Sequence, residues 1–89
     1  MKIKLELFGA SRDFSDKDYL DLEVQDEASI DDLRNEVIKY IDKNFQGNEN
    51  FIKVVKPSAF CSENNEIISD NYKITKDQKI GIIPPIGGG

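Results

Sequence analysis

Between residues 18 and 45 the chain reads Asp18-Tyr19-Leu20-Asp21-Leu22-Glu23-Val24-Gln25, then Asp26-Glu27-Ala28, then Ser29-Ile30-Asp31-Asp32-Leu33-Arg34-Asn35-Glu36-Val37-Ile38-Lys39-Tyr40-Ile41-Asp42-Lys43-Asn44-Phe45. The repeat of its apolar residues changes midway. Leu20, Leu22 and Val24 alternate with Asp21, Glu23 and Gln25, the period of two that puts one face of a strand in a core and the other in water. From Ser29 the spacing becomes helical: Ile30, Leu33, Val37, Tyr40, Ile41 and Phe45 form one stripe. Ser29 with Asp32 three residues on is close to a capping box. Asp31 and Asp32 suit the positive first turn, Lys39 and Lys43 suit the later turns, and Gly47 is the expected stop. Adjacent helical carboxylates do not face each other, so the Asp31–Asp32 pair is read as first-turn chemistry rather than as an acid–base or metal site.

Working outward, Lys2-Ile3-Lys4-Leu5-Glu6-Leu7-Phe8 alternates in the same way as residues 18–25, and the two segments are predicted to form a hairpin. Gly9–Lys17 is polar and reads as a loop. Beyond the helix, 46–50 is a polar loop and Phe51–Val55 is an apolar stretch left unassigned. Ser58–Glu63 is a strand, Asn64-Asn65 a turn and Glu66–Ile68 a short returning strand. Ser69–Gln78 is polar apart from Tyr72 and Ile74, with a turn at 75–78. Lys79–Ile83 is a final strand whose run Ile80-Gly81-Ile82-Ile83 is apolar on both faces, as expected of a central strand. The order β-β-α-β-β-β predicts an α+β domain, a mixed sheet packed on one main helix, and it fits the ubiquitin-like β-grasp, with the last strand beside the first. Residues 1–83 form the domain and 84–89 a thin C-terminal tail.

Composition sets limits on function. The chain has 89 residues, 38% hydrophobic and 33% charged, enough for one modest core. No apolar run approaches the ~20 residues of a membrane span. Histidine is absent and Cys61 is the only cysteine. A disulfide scaffold is excluded, and the usual zinc ligand and neutral-pH acid–base residue are missing. Cys61, in a strand with no histidine to activate it, is read as a small buried hydrophobe rather than a relay thiol. The net charge of −5 is concentrated early: residues 1–36 carry 11 acidic and 5 basic side chains, residues 37–89 carry 6 and 7. Such a surface suits neither a phosphate backbone nor an anionic membrane. The unpaired thiol and the lack of a signal-peptide apolar region lead us to expect a cytoplasmic protein.

The chain ends Ile83-Pro84-Pro85-Ile86-Gly87-Gly88-Gly89. Two prolines withhold N–H donors and stop the strand. The glycines have no side chain to pack, and no helix follows them to make a phosphate loop. The stretch Asp77-Gln78-Lys79-Ile80-Gly81-Ile82-Ile83-Pro84-Pro85-Ile86, followed by Gly88-Gly89, resembles the small subunit of molybdopterin synthase, a ubiquitin-like sulfur carrier. Its members show a polar turn, an apolar strand, Pro-Pro, an aliphatic residue, one variable position (here Gly87) and Gly-Gly. Phe8-Gly9-Ala10-Ser11-Arg12-Asp13 resembles the family's segment after strand one, and Asn64 stands where a turn asparagine is common. The segment around Phe51–Lys56 and the isoleucines at 82 and 83, where aromatics are common, depart from the pattern.

The resemblance implies a subunit and co-substrate with no complete active site of its own. No cofactor would be bound. The Gly89 carboxylate would be adenylated with ATP by a ubiquitin-activating-like adenylyltransferase and converted to a thiocarboxylate. It would then donate sulfur to precursor Z inside the molybdopterin synthase large subunit, forming the dithiolene. Gly87 and Gly88 would thread a narrow channel. The head would dock through residues near the tail's root: Phe8, Arg12, Ile82, Ile83, Pro84, Pro85 and Ile86. Phe8 is either a core residue or a contact, Arg12 a contact or an exposed loop arginine, and one of Ile82 and Ile83 faces out. A thiamine-pathway sulfur carrier, a ubiquitin-like modifier of lysines and a plain interaction domain stay open as alternatives.

Overall fold

The computed structural model describes residues 1–85. Five strands make one mixed sheet in the order β2-β1-β7-β4-β5, from β1 (Lys2–Leu7), β2 (Tyr19–Glu23), β4 (Ala59–Ser62), β5 (Ile67–Ile68) and β7 (Gln78–Ile83). β1 and β2 form the expected antiparallel pair, with Ile3 opposite Leu22 and Leu5 opposite Leu20. β7 runs parallel to β1 and antiparallel to β4, so it is central, as its two-sided apolar run predicts. The helix is α1 (Ile30–Phe45). Its buried side chains Ile30, Leu33, Val37 and Ile41 meet the sheet's inner face, formed by Ile3, Leu5, Leu7, Leu20, Phe60, Ile80 and Ile82.

The cap of α1 is a complete capping box: Ser29 Oγ accepts from the Asp32 N–H at 3.1 Å, and the Asp32 carboxylate accepts from the Ser29 N–H at 2.9 Å. Those bonds to Ser29, with Lys73 adding a favourable charge, hold the Asp32 carboxyl below its ordinary value. The helix ends with Gln46 in the left-handed conformation (φ 55°) and Gly47 behind it (φ 69°), so the turn begins one residue before the expected glycine stop. Asn65, also left-handed, closes the β4–β5 turn where the asparagine pair predicts one.

Three features differ from the sequence reading. The unassigned stretch is a second helix, α2 (Glu49–Val55), started by Asn48, whose side chain accepts from the Asn50 and Phe51 N–H groups. The polar loop after β1 contains a 3-10 turn, Gly9–Phe14, whose Phe14 and Ser11 are fully buried. Phe14 packs on Phe51 (ring centroids 5.1 Å apart), Phe51 on Phe45 (5.0 Å) and Phe45 on Tyr40 (6.0 Å), so the outer end of the α1 stripe packs an aromatic row against one edge of the core. Finally, β3 (Ala28–Ser29) pairs with β6 (Lys73–Ile74) as a separate two-stranded sheet that carries Ile74 into the core. The β-β-α-β-β-β order therefore stands with one helix and two very short strands added.

Candidate partner-binding face at the root of the tail

Alternation along the strands sends every second side chain to the face opposite α1. Register brings Glu6, Gly81, Cys61 and Ile67 into one row across β1, β7, β4 and β5. Ile83 and Ala59 lie opposite each other one step on, and Phe8 follows the end of β1 on the same side. Phe8, Ile83 and Ile67 keep 38, 36 and 65% of their surface exposed. They frame an apolar patch on an otherwise charged face.

Gly81 explains the middle of the patch. A Cβ there would stand 2.8 Å from both Phe8 Cε2 and Cys61 Sγ, distances that no real Cβ occupies. The missing side chain leaves the space that the edge of the Phe8 ring and the Cys61 sulfur occupy over β7. Charges rim the patch: Lys79 Nζ pairs with Glu6 at 3.3 Å, and Lys4 Nζ sits 4.3 Å from the Tyr19 ring centroid, a cation–π contact. Arg12 is exposed at the end of the 3-10 turn.

The anticipated site residues fall into three groups. Phe8, Ile83 and Pro84 come together: Pro84 is half-buried beside Gly9, where an added Cβ would lie 3.9 Å from Pro84 Cδ. Arg12 and Pro85 are exposed. Ile82 must be reassigned. It is 0% exposed and points at α1, because β7 alternates and its neighbour Ile83 takes the outward position. Ile86, Gly87, Gly88 and Gly89 lie outside the described residues. Ile67 and Gly81 were not anticipated. A two-residue strand has no period to say which way Ile67 faces, and only the register makes Gly81 the floor of the patch. Cys61 is buried, as its composition suggests. Among the described residues no group of three or more acidic or cysteine side chains is placed to hold a metal ion, and no helix is long and apolar enough to cross a membrane.

No protein-family model matches the sequence, and no curated protein does. Solved structures do resemble it. SAMP1 from Haloferax volcanii superposes with a TM-score of 0.67 at 13% identity, over 100% of this chain and 100% of that one. A second crystal structure of the H. volcanii small archaeal modifier protein 1 gives 0.66 at 11%, covering 96% and 98%. A candidate molybdopterin converting factor, subunit 1, from Pyrococcus furiosus gives 0.69 at 22%, again over 96% and 98%. The fold is the ubiquitin-like β-grasp. In this β-grasp the strand that leads to the C-terminus lies beside the first strand, and the apolar patch sits where the chain leaves the sheet.

Proposed function

We propose that this β-grasp protein is a sulfur carrier of molybdenum cofactor biosynthesis, the small subunit and co-substrate of a molybdopterin synthase. One observation carries the reading. An exposed apolar patch of Phe8, Ile83 and Ile67 lies at the root of a segment whose sequence runs Pro-Pro, one aliphatic residue, then glycines to the end. The likeness to the P. furiosus protein supports it. A carboxylate is a poor acyl donor until it carries a good leaving group. The Gly89 carboxylate attacks the α-phosphorus of ATP, bound by a ubiquitin-activating-like enzyme, and expels pyrophosphate. A sulfide-level sulfur nucleophile (hydrosulfide, or a donor's persulfide with a thiol reductant) then attacks the acyl carbonyl, the C–O bond to AMP breaks, and a thiocarboxylate is left. A terminal glycine has no Cβ to obstruct attack on its carbonyl. The large subunit receives the tail, and a Lys or Arg there meets the terminal anion. The apolar centre with its Lys79–Glu6 and Arg12 rim matches the anatomy of a protein interface.

A second reading, a modifier that joins lysines of other proteins, is favoured by the likeness to small archaeal modifier protein 1. Both readings need the activated Gly89, and one measurement separates them. Intact-mass spectrometry of the protein from its native host is expected to show a species heavier by the difference between sulfur and oxygen. Under the modifier reading the glycine tail appears instead as a remnant on lysines of other proteins. Deleting Gly89 is expected to abolish sulfur transfer to precursor Z while leaving the melting temperature unchanged. A truncated chain that still supports molybdopterin formation with its two partner enzymes sinks the proposal.

A further inference from the structure

The 3-10 turn Gly9–Phe14 is tied to the rest of the domain at both ends. Gly9, Ala10, Arg12 and Asp13 are exposed, yet the backbone is pinned at both ends. At the near end the carbonyl of Phe8 accepts from both the N–H of Ser11 (3.1 Å) and its buried hydroxyl (2.6 Å). At the far end the Phe14 carbonyl accepts from the Tyr40 hydroxyl of α1 at 2.9 Å, and the Phe14 ring packs against Phe51 of α2. Gly9, left-handed at φ +56°, lies near Pro84, the first residue after β7: a Cβ on Gly9 would come within 3.9 Å of Pro84 Cδ. The turn thus spans from the aromatic row at the edge of the core to the point where the chain leaves the sheet.

We infer that the Gly9–Phe14 turn is a positioning device for the tail, braced by Tyr40 and Phe51 at one end and setting the exit direction of Pro84 and Pro85 at the other. The inference rests on the activated-tail reading above and adds to it Tyr40 and Phe51, residues outside the apolar patch of Phe8, Ile83 and Ile67. Arg12 rides on the same turn, so the brace also fixes where its charge stands relative to Pro84. α2 acquires a role through this arrangement: its Phe51 carries the support on which the turn rests. Tyr40 and Phe51 are positioning residues, acting through Phe14 and Gly9.

Two variants of the full chain test this. Tyr40→Phe removes only the hydroxyl that holds the Phe14 carbonyl, and Phe51→Leu keeps an apolar side chain but loses the ring contact. In each, NMR reads the nuclear Overhauser effect between Gly9 Hα and Pro84 Hδ together with hydrogen exchange at the Ser11 amide. ATP–pyrophosphate exchange with the host's ubiquitin-activating-like enzyme reads tail delivery. The expected result is a weakened Gly9–Pro84 signal and faster exchange at Ser11, with the amides of β1 and β7 still protected. kcat should fall on the order of tenfold while KM stays within about twofold, the signature of a misdirected tail on an intact docking face. An unchanged Gly9–Pro84 signal in both variants overturns the inference, as does a lost signal with unchanged kcat. If the wild-type chain supports no exchange, the activated-tail reading falls instead, and the Gly9–Pro84 signal alone decides whether the brace sets the exit direction.

Discussion

Adjacent residues of β7 face opposite sides of the sheet, so one substitution has different consequences at 82 and 83. Ile83→Asp and Phe8→Asp place a charge on the exposed patch. Both are expected to fold, as judged by circular dichroism, and to weaken binding to the large subunit roughly tenfold or more, a loss of about 1.4 kcal/mol. Ile82→Asp puts a carboxylate among the fully buried side chains against α1, where an unpaired charge is not tolerated. It is expected not to fold. Isothermal titration of the two outward variants decides the assignment: unchanged affinity in both moves the docking face elsewhere, the acidic stretch from Asp13 to Glu36 being the next surface to test. Neither the isoleucine pair nor the glycine between the two aliphatic positions of β7 could be resolved from sequence. Alternation states that 82 and 83 differ, but the side on which the helix lies is a tertiary fact.

At the scale of elements, long periodic segments were legible and short ones were not. Six residues of alternation in β1 and sixteen of helical stripe in α1 repeat a period often enough to fix type and face. β3 and β6 have two residues each, one strand period with no repeat and less than one helical turn. α2 has seven, and its Phe51-Ile52 and Val54-Val55 pairs around Lys53 read as easily as a strand; its deciding signal was the Asn48 cap, a local hydrogen bond rather than a pattern. The 3-10 turn was hidden because Phe14 is the lone large apolar residue in the polar run 9–17. Two expectations test α1. Leu33 is fully buried in its first turn, and Leu33→Ala should cost roughly 2–5 kcal/mol in denaturant titration through lost burial and a cavity; a negligible change would mean the helix face is misassigned. The capping box predicts a pH signature. Because the fold lowers the Asp32 pKa from its ordinary 3.8, its contribution is present above that value and is lost as pH falls through the depressed one. Asp32→Asn should therefore be less stable than wild type at neutral pH, and the gap should close in acid. Urea midpoints of both proteins across that range check it, and a gap independent of pH would exclude the mechanism.

Across the whole molecule, Arg34 joins parts distant in sequence. Its guanidinium pairs with Asp31 at 2.9 Å and Asp70 at 3.0 Å, donates to the Ser58 carbonyl at 3.1 Å and lies 5.2 Å from the Phe60 ring centroid. Both carboxylates are more than 60% exposed, so those pairs contribute little, and the carbonyl bond and ring contact dominate. Arg34→Ala is expected to cost about 2 kcal/mol, with little change between low and high salt. Arg34→Lys should not restore it, because an ammonium cannot reproduce the planar fork. A loss that disappears in high salt would assign the effect to the ion pairs instead. The central place of β7 carries a further consequence, one of folding order. β7 follows every other described strand in the sequence yet fills the gap between β1 and β4, so its pairing with β1 closes a loop of most of the domain and comes late. Until then the β1–β2 hairpin and α1 have only part of the surface that covers their apolar sides, and a fragment lacking β7 is an aggregation hazard. The strand that closes the sheet also leads into Pro84 and Pro85, so a chain that has not finished folding lacks the assembled patch of Phe8, Ile83 and Ile67; under the proposed function, only completed domains would then be admitted to activation.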